Sequence, residues 1–170
     1  IDLVYNGIDT ETFKPNDAFK TKPMQLITTA SADQPLKGLR YLLDAVANLK
    51  PAYPNLNLLV VGKLKEGGQT ARQLKRLQLG DSVRFVSGIS TEELVQHYNE
   101  SAIAVSPSLY EGFGLPAGEA MACGTPVVSS DGGALPEIVG DAGVVVKAGD
   151  GAELAQAISA LLKDPERAEK

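Results

Sequence analysis

The sequence holds one cysteine, Cys123, one histidine, His97, and no tryptophan, and aromatic residues make up 5% of its 170 positions. A single thiol excludes an internal disulfide, and one Cys with one His cannot supply a zinc site. No apolar run approaches the roughly 18 residues that a membrane-spanning helix needs. No basic, then apolar leader opens the chain. There is no Asp-x-Asp pair, which removes the simplest motif for holding a metal–diphosphate. There is no P-loop, and no Gly-x-Gly-x-x-Gly follows the first apolar run, so a dinucleotide fingerprint is missing. His97 stands alone on an expected helix surface, where a structural or solvated role suffices. A Ser-His-Asp arrangement would require it to move into a cleft. No Met opens the chain, and Ile1-Asp-Leu-Val-Tyr5 reads as the middle of something, so a fragment of a longer protein is expected.

What is present is ordinary soluble composition: 44% apolar, 22% charged, with a net charge of −5. That length fits one domain able to bury its own core. The charge is uneven. Residues 1–85 carry 12 Lys/Arg against 8 Asp/Glu, and residues 86–170 carry 4 against 13. Without stacking aromatics the basic half does not read as a nucleic-acid surface. It reads as solvated faces, with a hint of a phosphate-facing or membrane-facing side.

Short apolar runs alternate with helical patterns along the chain. Residues 24–30, 56–62, 82–86, 102–105, 126–129 and 143–146 read as strands. Helical spacing covers about 36–49, ended by Pro51 and Pro54, and Thr70–Leu79, with Gly80 as its expected C-cap. Ser90-Thr-Glu-Glu93 is a capping box opening a helix to about Glu100. Further helices are expected at about 116–122, 135–139 and 152–163. The alternation predicts an α/β fold: a Rossmann-like three-layer α/β/α domain with a mainly parallel six-stranded sheet. Residues 1–23, polar with turn signals, read as a connecting segment before a domain over 24–170. In such sheets ligands lie outside the carboxyl ends of the strands. The informative loops are therefore 31–38, 62–68, 87–90, 106–116 and 130–134.

The richest of these loops runs from Pro107 to Pro126. It carries Glu111 among Gly112 and Gly114, then Pro116, a favoured early helical residue, then Glu119. Two surface carboxylates near a helix N-terminus need no function. The surrounding Gly-Phe-Gly-Leu-Pro shifts the reading, because small residues let a ligand approach the backbone and helix-start N–H groups attract anions. Lys37-Gly38 opens another helix, where a cation opposes the helix dipole. Either Lys37 reaches solvent or an anion such as phosphate compensates it, and this feature alone leaves both open. Asp131-Gly132-Gly133 reads as a tight turn or a further anion-facing loop. Gly62 and Gly88 read as turn glycines.

These residues together resemble the C-terminal domain of the retaining, GT-B-fold glycosyltransferases often called family 4, or group 1. Val4-Tyr-Asn-Gly-Ile-Asp-Thr-Glu-Thr-Phe-Lys-Pro15 resembles the family's interdomain segment, and Lys37-Gly38 its phosphate loop. Val60-Val-Gly62 and Val83-Arg-Phe-Val-Ser-Gly88 resemble its second and third strands. Glu111-Gly-Phe-Gly-Leu-Pro with Glu119-Ala-Met-Ala-Cys-Gly-Thr-Pro-Val-Val128 resembles its paired-glutamate signature. The resemblance covers nearly the whole chain. It implies one half of a GT-B fold that binds a nucleotide-diphosphate sugar, with Lys37 on the diphosphate and Glu119 on the ribose. Glu111, with the N–H groups of Gly112, Phe113, Gly114 and Leu115, would hold sugar hydroxyls and the β-phosphate. Glu111 and Lys37 would be the catalytic pair, and the base would lie near Gly62, Val86 and Ser87. The resemblance further implies retention of configuration, no metal or other cofactor, and an acceptor sugar or lipid bound by an N-terminal domain that is not in this chain. It implies a cytoplasmic protein, with any association at the inner face of the membrane arising through the parent chain. This stretch alone is then expected to be inactive in transfer.

One departure stands out. The family usually carries an arginine before the phosphate lysine, and here Ser31-Ala-Asp-Gln-Pro-Leu-Lys37 has none. Arg40, or a group from elsewhere in the parent protein, is the expected substitute. The departure keeps open a non-catalytic nucleotide-sugar-binding module. Another GT-B enzyme, such as an epimerase or phosphorylase, fits the paired-glutamate context less well.

Overall fold

The structure is a computed structural model and describes residues 6–164. Val4 and Tyr5 of the entry motif, and the tail beyond Asp164, lie outside the described residues. Six strands form one sheet: β1 (Lys22–Thr29), β2 (Asn57–Val61), β3 (Val83–Val86), β4 (Ser101–Ser106), β5 (Val127–Ser130) and β6 (Val144–Val146). Their order is β3-β2-β1-β4-β5-β6 and each neighbouring pair is parallel. The helices are α1 (Leu39–Leu49), α2 (Gln69–Arg76), α3 (Thr91–Glu100), α4 (Leu115–Ala122), α5 (Leu135–Val139) and α6 (Gly151–Lys163).

Strand side chains alternate between two cores, as the pleat requires. Leu26, Leu58, Val60, Ile103, Val105 and Val128 pack with the buried faces of α1, α2 and α6. Ile27, Leu59, Ala104 and Val127 pack with Tyr98 of α3, Ala117 and Ala120 of α4, and Leu135 and Val139 of α5. Strands apolar on both faces can be stable only when both faces are covered, so the three-layer architecture follows from the composition of β1, β2 and β4.

Local chemistry moved several boundaries. The first helix starts at Leu39, not near 36. Pro35–Lys37 form a single 3₁₀ turn, and Gly38 breaks it from α1 at φ 65°. The second ends at Arg76, before the expected Leu79. Gln78 turns left-handed at φ 55°, so Gly80 lies beyond the cap it was expected to provide. The capping box of α3 forms on both sides: Glu93 N–H donates to Ser90 Oγ at 3.2 Å and Ser90 N–H to Glu93 Oε2 at 2.8 Å. Ser90→Ala should cost about 1 kcal/mol and lower Tm by about 2–4 °C. A melt superimposable on wild type would remove the cap from the account of α3.

The stretch read as a connecting segment is packed onto the domain. Phe13 is buried against Tyr98. Ile8 lies so close to Gly118 of α4 that a Cβ there would sit 2.8 Å from Ile8 Cδ1.

Candidate functional site

Strand order reverses at β1, with β2 and β3 on one side and β4 to β6 on the other. Diverging connections leave a crevice at the carboxyl ends of β1 and β4. The loops after β1, β4 and β5 meet there. Leu109 N–H donates to Leu36 O at 2.8 Å, and Ala134 N–H to Glu111 O at 2.9 Å. Ser130 Oγ donates to the carbonyl of buried Ser108. Glycine is required at these approaches. A Cβ on Gly38 would lie 1.8 Å from Pro107 O, and one on Gly133 would lie 2.3 Å from Glu111 O. Gly132-Gly133 is thus a turn that buttresses the Glu111 loop.

This clamp joins two residues 74 positions apart. Lys37 Nζ donates to both carboxylate oxygens of Glu111, at 3.1 and 2.8 Å, and Ser108 Oγ donates to Glu111 Oε2 at 3.1 Å. Ser108 went unremarked in the sequence, and only its spacing of three from Glu111 signals the contact. Beside this pair α4 begins at Leu115 after Gly114, which is left-handed at φ 101° and gives no side-chain cap. Among the described residues, the N–H groups of Gly112, Phe113, Gly114 and Leu115 meet no protein acceptor. The large hydrophobic side chains exposed among the described residues, Leu36, Tyr110 and Leu115, neighbour this pair or open α4.

Glu119 sits one turn further along α4, half-buried. Tyr98 Oη lies 3.4 Å from its Oε2. Burial raises the Glu119 carboxyl above the usual carboxylate range, and the Tyr98 hydrogen bond offsets part of that rise. A carboxyl raised on folding stabilises the fold below its unfolded pKa, and that contribution is lost as pH rises through the folded value. Near neutral pH its charge therefore works against the fold, as expected of a group that serves a ligand.

The other expected positions divide. Gly62 is at the carboxyl end of β2, but its N–H donates to Val86 O at 2.7 Å. A Cβ there would lie 2.2 Å from Ala30 O, so close packing accounts for this glycine. Only its carbonyl is left to meet a base. Val86 is half-buried and Ser87 exposed beside it. Arg40 does not join the crevice. Its guanidinium stands over the Tyr41 ring, 4.3 Å from the centroid, and hydrogen-bonds the Tyr41 hydroxyl. The loop that lacks the arginine is pinned by Asp33, which is left-handed at φ 61°. Its Oδ1 accepts from Thr70 N–H at 2.8 Å at the start of α2. His97 is half-buried rather than solvated, and its buried Nδ1 has no hydrogen-bond partner among the described residues. Burial lowers its pKa.

Residues 9–170 match the family described as glycosyl transferases group 1. The chain belongs to that family. It is 43% identical over 162 residues, 94% of its length, to the MMP alpha-(1->4)-mannosyltransferase of Mycolicibacterium hassiacum, of which it covers 39%. Sucrose-phosphate synthase from Thermosynechococcus elongatus superposes with a TM-score of 0.81 at 33% identity, over 96% of this chain and 43% of that one. Anabaena Alr3699/HepE, solved in complex with UDP-glucose, shares the fold, with a TM-score of 0.85 at 23% identity over 99% of this chain and 49% of that one. The chain spans about two-fifths of the length of the curated relatives it matches. Its parallel sheet is that of one half of a GT-B fold. Among the described residues no helix is long and apolar enough to cross a membrane.

Proposed function

We propose that this domain, spanning residues 24–170 with 1–23 as its connection to a preceding domain, binds the donor for a metal-independent, retaining hexosyltransferase. The donor is a nucleotide-diphosphate sugar. The observation that carries this is the Lys37–Glu111 pair, held at the switch-point crevice beside four unpartnered N–H groups and the open start of α4. A cation, a carboxylate and unpartnered N–H groups at a helix start are what a sugar diphosphate requires. Lys37 and the N–H groups of Gly112, Phe113, Gly114 and Leu115 take the diphosphate. Glu111 takes sugar hydroxyls, Glu119 the ribose, and Gly62, Val86 and Ser87 the base. Fixed positive charge and the α4 dipole then stabilise the leaving diphosphate as its bond to the sugar breaks. The mannosyltransferase relative and the UDP-glucose complex of the Anabaena protein support the donor class. Retention rests on the family resemblance. The exposed Leu36, Tyr110 and Leu115 suit a crevice closed by a second domain, which would hold the acceptor. The domain by itself is expected to bind donor and to transfer little.

Calorimetric titration with UDP, GDP and ADP and their sugars tests this reading, and binding of none at millimolar concentration would sink it. Affinity should fall on acidification, beginning above the ordinary carboxylate range, because the ribose needs Glu119 ionised. Glu119→Gln should flatten that dependence and weaken binding about 10- to 150-fold through loss of charged hydrogen bonds, while melting higher than wild type at pH 7. A Glu119→Gln domain that binds normally would remove the ribose role. A second reading, a binding module without transfer, is favoured by the lack of an arginine in 31–37 and by Arg40 lying over Tyr41. Transfer by the full-length parent, abolished by Glu111→Gln, decides against it.

A further inference from the structure

Tyr98 is the largest fully buried side chain among the described residues. Its hydroxyl lies 3.2 Å from Thr29 Oγ1 at the end of β1 and 3.4 Å from Glu119 Oε2 on α4. An ionised carboxylate only accepts, so the phenol must donate to Glu119, which leaves its oxygen to accept from Thr29. The proton order therefore runs from Thr29 through Tyr98 to Glu119. Two further contacts hold the residue. Its carbonyl accepts from Thr125 Oγ1 at 2.8 Å. Its ring packs on Phe13 with centroids 6.3 Å apart and planes at 59°. It sits on α3, whose cap is complete.

We propose that Tyr98 is a positioning residue for Glu119: its buried hydroxyl, fed by Thr29 and braced by Phe13, holds the carboxylate ionised and turned toward the nucleotide. The proposal rests on the reading of Glu119 as the ribose group. It ties the entering segment, through Phe13, to that same carboxylate. The 3.4 Å separation is long for an O–H···O bond, so its contribution to stability is small. Among the described residues, the titratable groups bearing on Glu119 are Tyr98 of α3 and Cys123, which caps the C-terminus of α4. Cys123, pushed up to about 11 by burial, is a neutral thiol across the working range. Burial also raises Tyr98, so the phenol stays a donor.

Tyr98→Phe removes the hydroxyl and keeps the ring. Removing a donor from an ionised carboxylate disfavours that form, so the Glu119 pKa should rise. Carboxyl-carbon NMR titration of the whole chain should show the Glu119 midpoint moved upward. UDP, GDP and ADP titrations between pH 5 and 8 should show the acid-side loss of affinity moved the same way, with affinity at pH 8 within about threefold of wild type. Thr29→Val, which loosens the phenol from its other side, should shift both in the same direction by less. A Tyr98→Phe protein whose affinity drops equally at every pH, with the Glu119 midpoint unmoved, would overturn the proposal. If wild type binds none of the three nucleotides, the donor reading fails separately. The Glu119 midpoint then decides the positioning alone, movement supporting it and constancy overturning it.

Discussion

Gly38→Ala should lower Tm by about 10 °C and abolish nucleotide binding. Two costs add. The residue is left-handed at φ 65°, a conformation that costs a side-chain-bearing residue about 1–2 kcal/mol. Its Cβ would also lie 1.8 Å from Pro107 O and 2.7 Å from Pro107 C. Those are backbone atoms of the Glu111 loop, so neither side can yield by a rotamer change. The combined penalty is on the order of 4 kcal/mol, and a domain of this length loses about 2–4 °C per kcal/mol. Relief requires the 35–38 turn and the 107–111 loop to part, which separates Lys37 from Glu111. Gly112→Ala is the control. Nothing lies within 4 Å of its added Cβ and its φ is not positive, so its stability should stay within about 0.5 kcal/mol. A Gly38→Ala domain that melts within 2 °C of wild type and binds nucleotide would show that the close approach is dispensable.

Lys37→Ala should weaken binding of the preferred nucleoside diphosphate about 100-fold or more. A charged hydrogen bond to phosphate is worth about 1.5–3 kcal/mol, or roughly 10- to 150-fold. The variant also leaves Glu111 without its cation, with Ser108 Oγ still donating to it, and that side chain is only 16% exposed. An uncompensated carboxylate then faces the diphosphate. Glu111→Gln should act in the opposite sense on the bare nucleotide, retaining or improving affinity while losing the preference for the sugar-bearing form. The double variant should bind nucleotide better than Lys37→Ala alone, since residues in one contact are not additive. Titration of the four proteins with the same nucleotide and its sugar completes the cycle. If Lys37→Ala and Glu111→Gln lower affinity equally, and their effects add in the double variant, the pair does not act as described.

Much of this molecule was legible in its residues. Alternation of β-forming apolar runs with 3.6-period helices settles a parallel three-layer fold, because strands apolar on both faces must be covered twice. Ser90-Thr-Glu-Glu93 names its own cap, and Pro116 and Gly114 mark the open start of α4. The paired-glutamate stretch is local, so Glu111, Gly112, Phe113, Gly114, Leu115 and Glu119 could be named as a group from spacing and resemblance. Distance in sequence hid the rest. That Lys37 reaches Glu111 depends on β1 and β4 being neighbours, and on glycines at 38, 132 and 133 letting three loops close together. That Tyr98 is buried beneath Glu119 depends on α3 crossing the end of β1, which no local pattern encodes. Periodicity is set by backbone geometry and reads out residue by residue. Contacts across the sheet are set by strand order and close packing, and only the tertiary structure determines those.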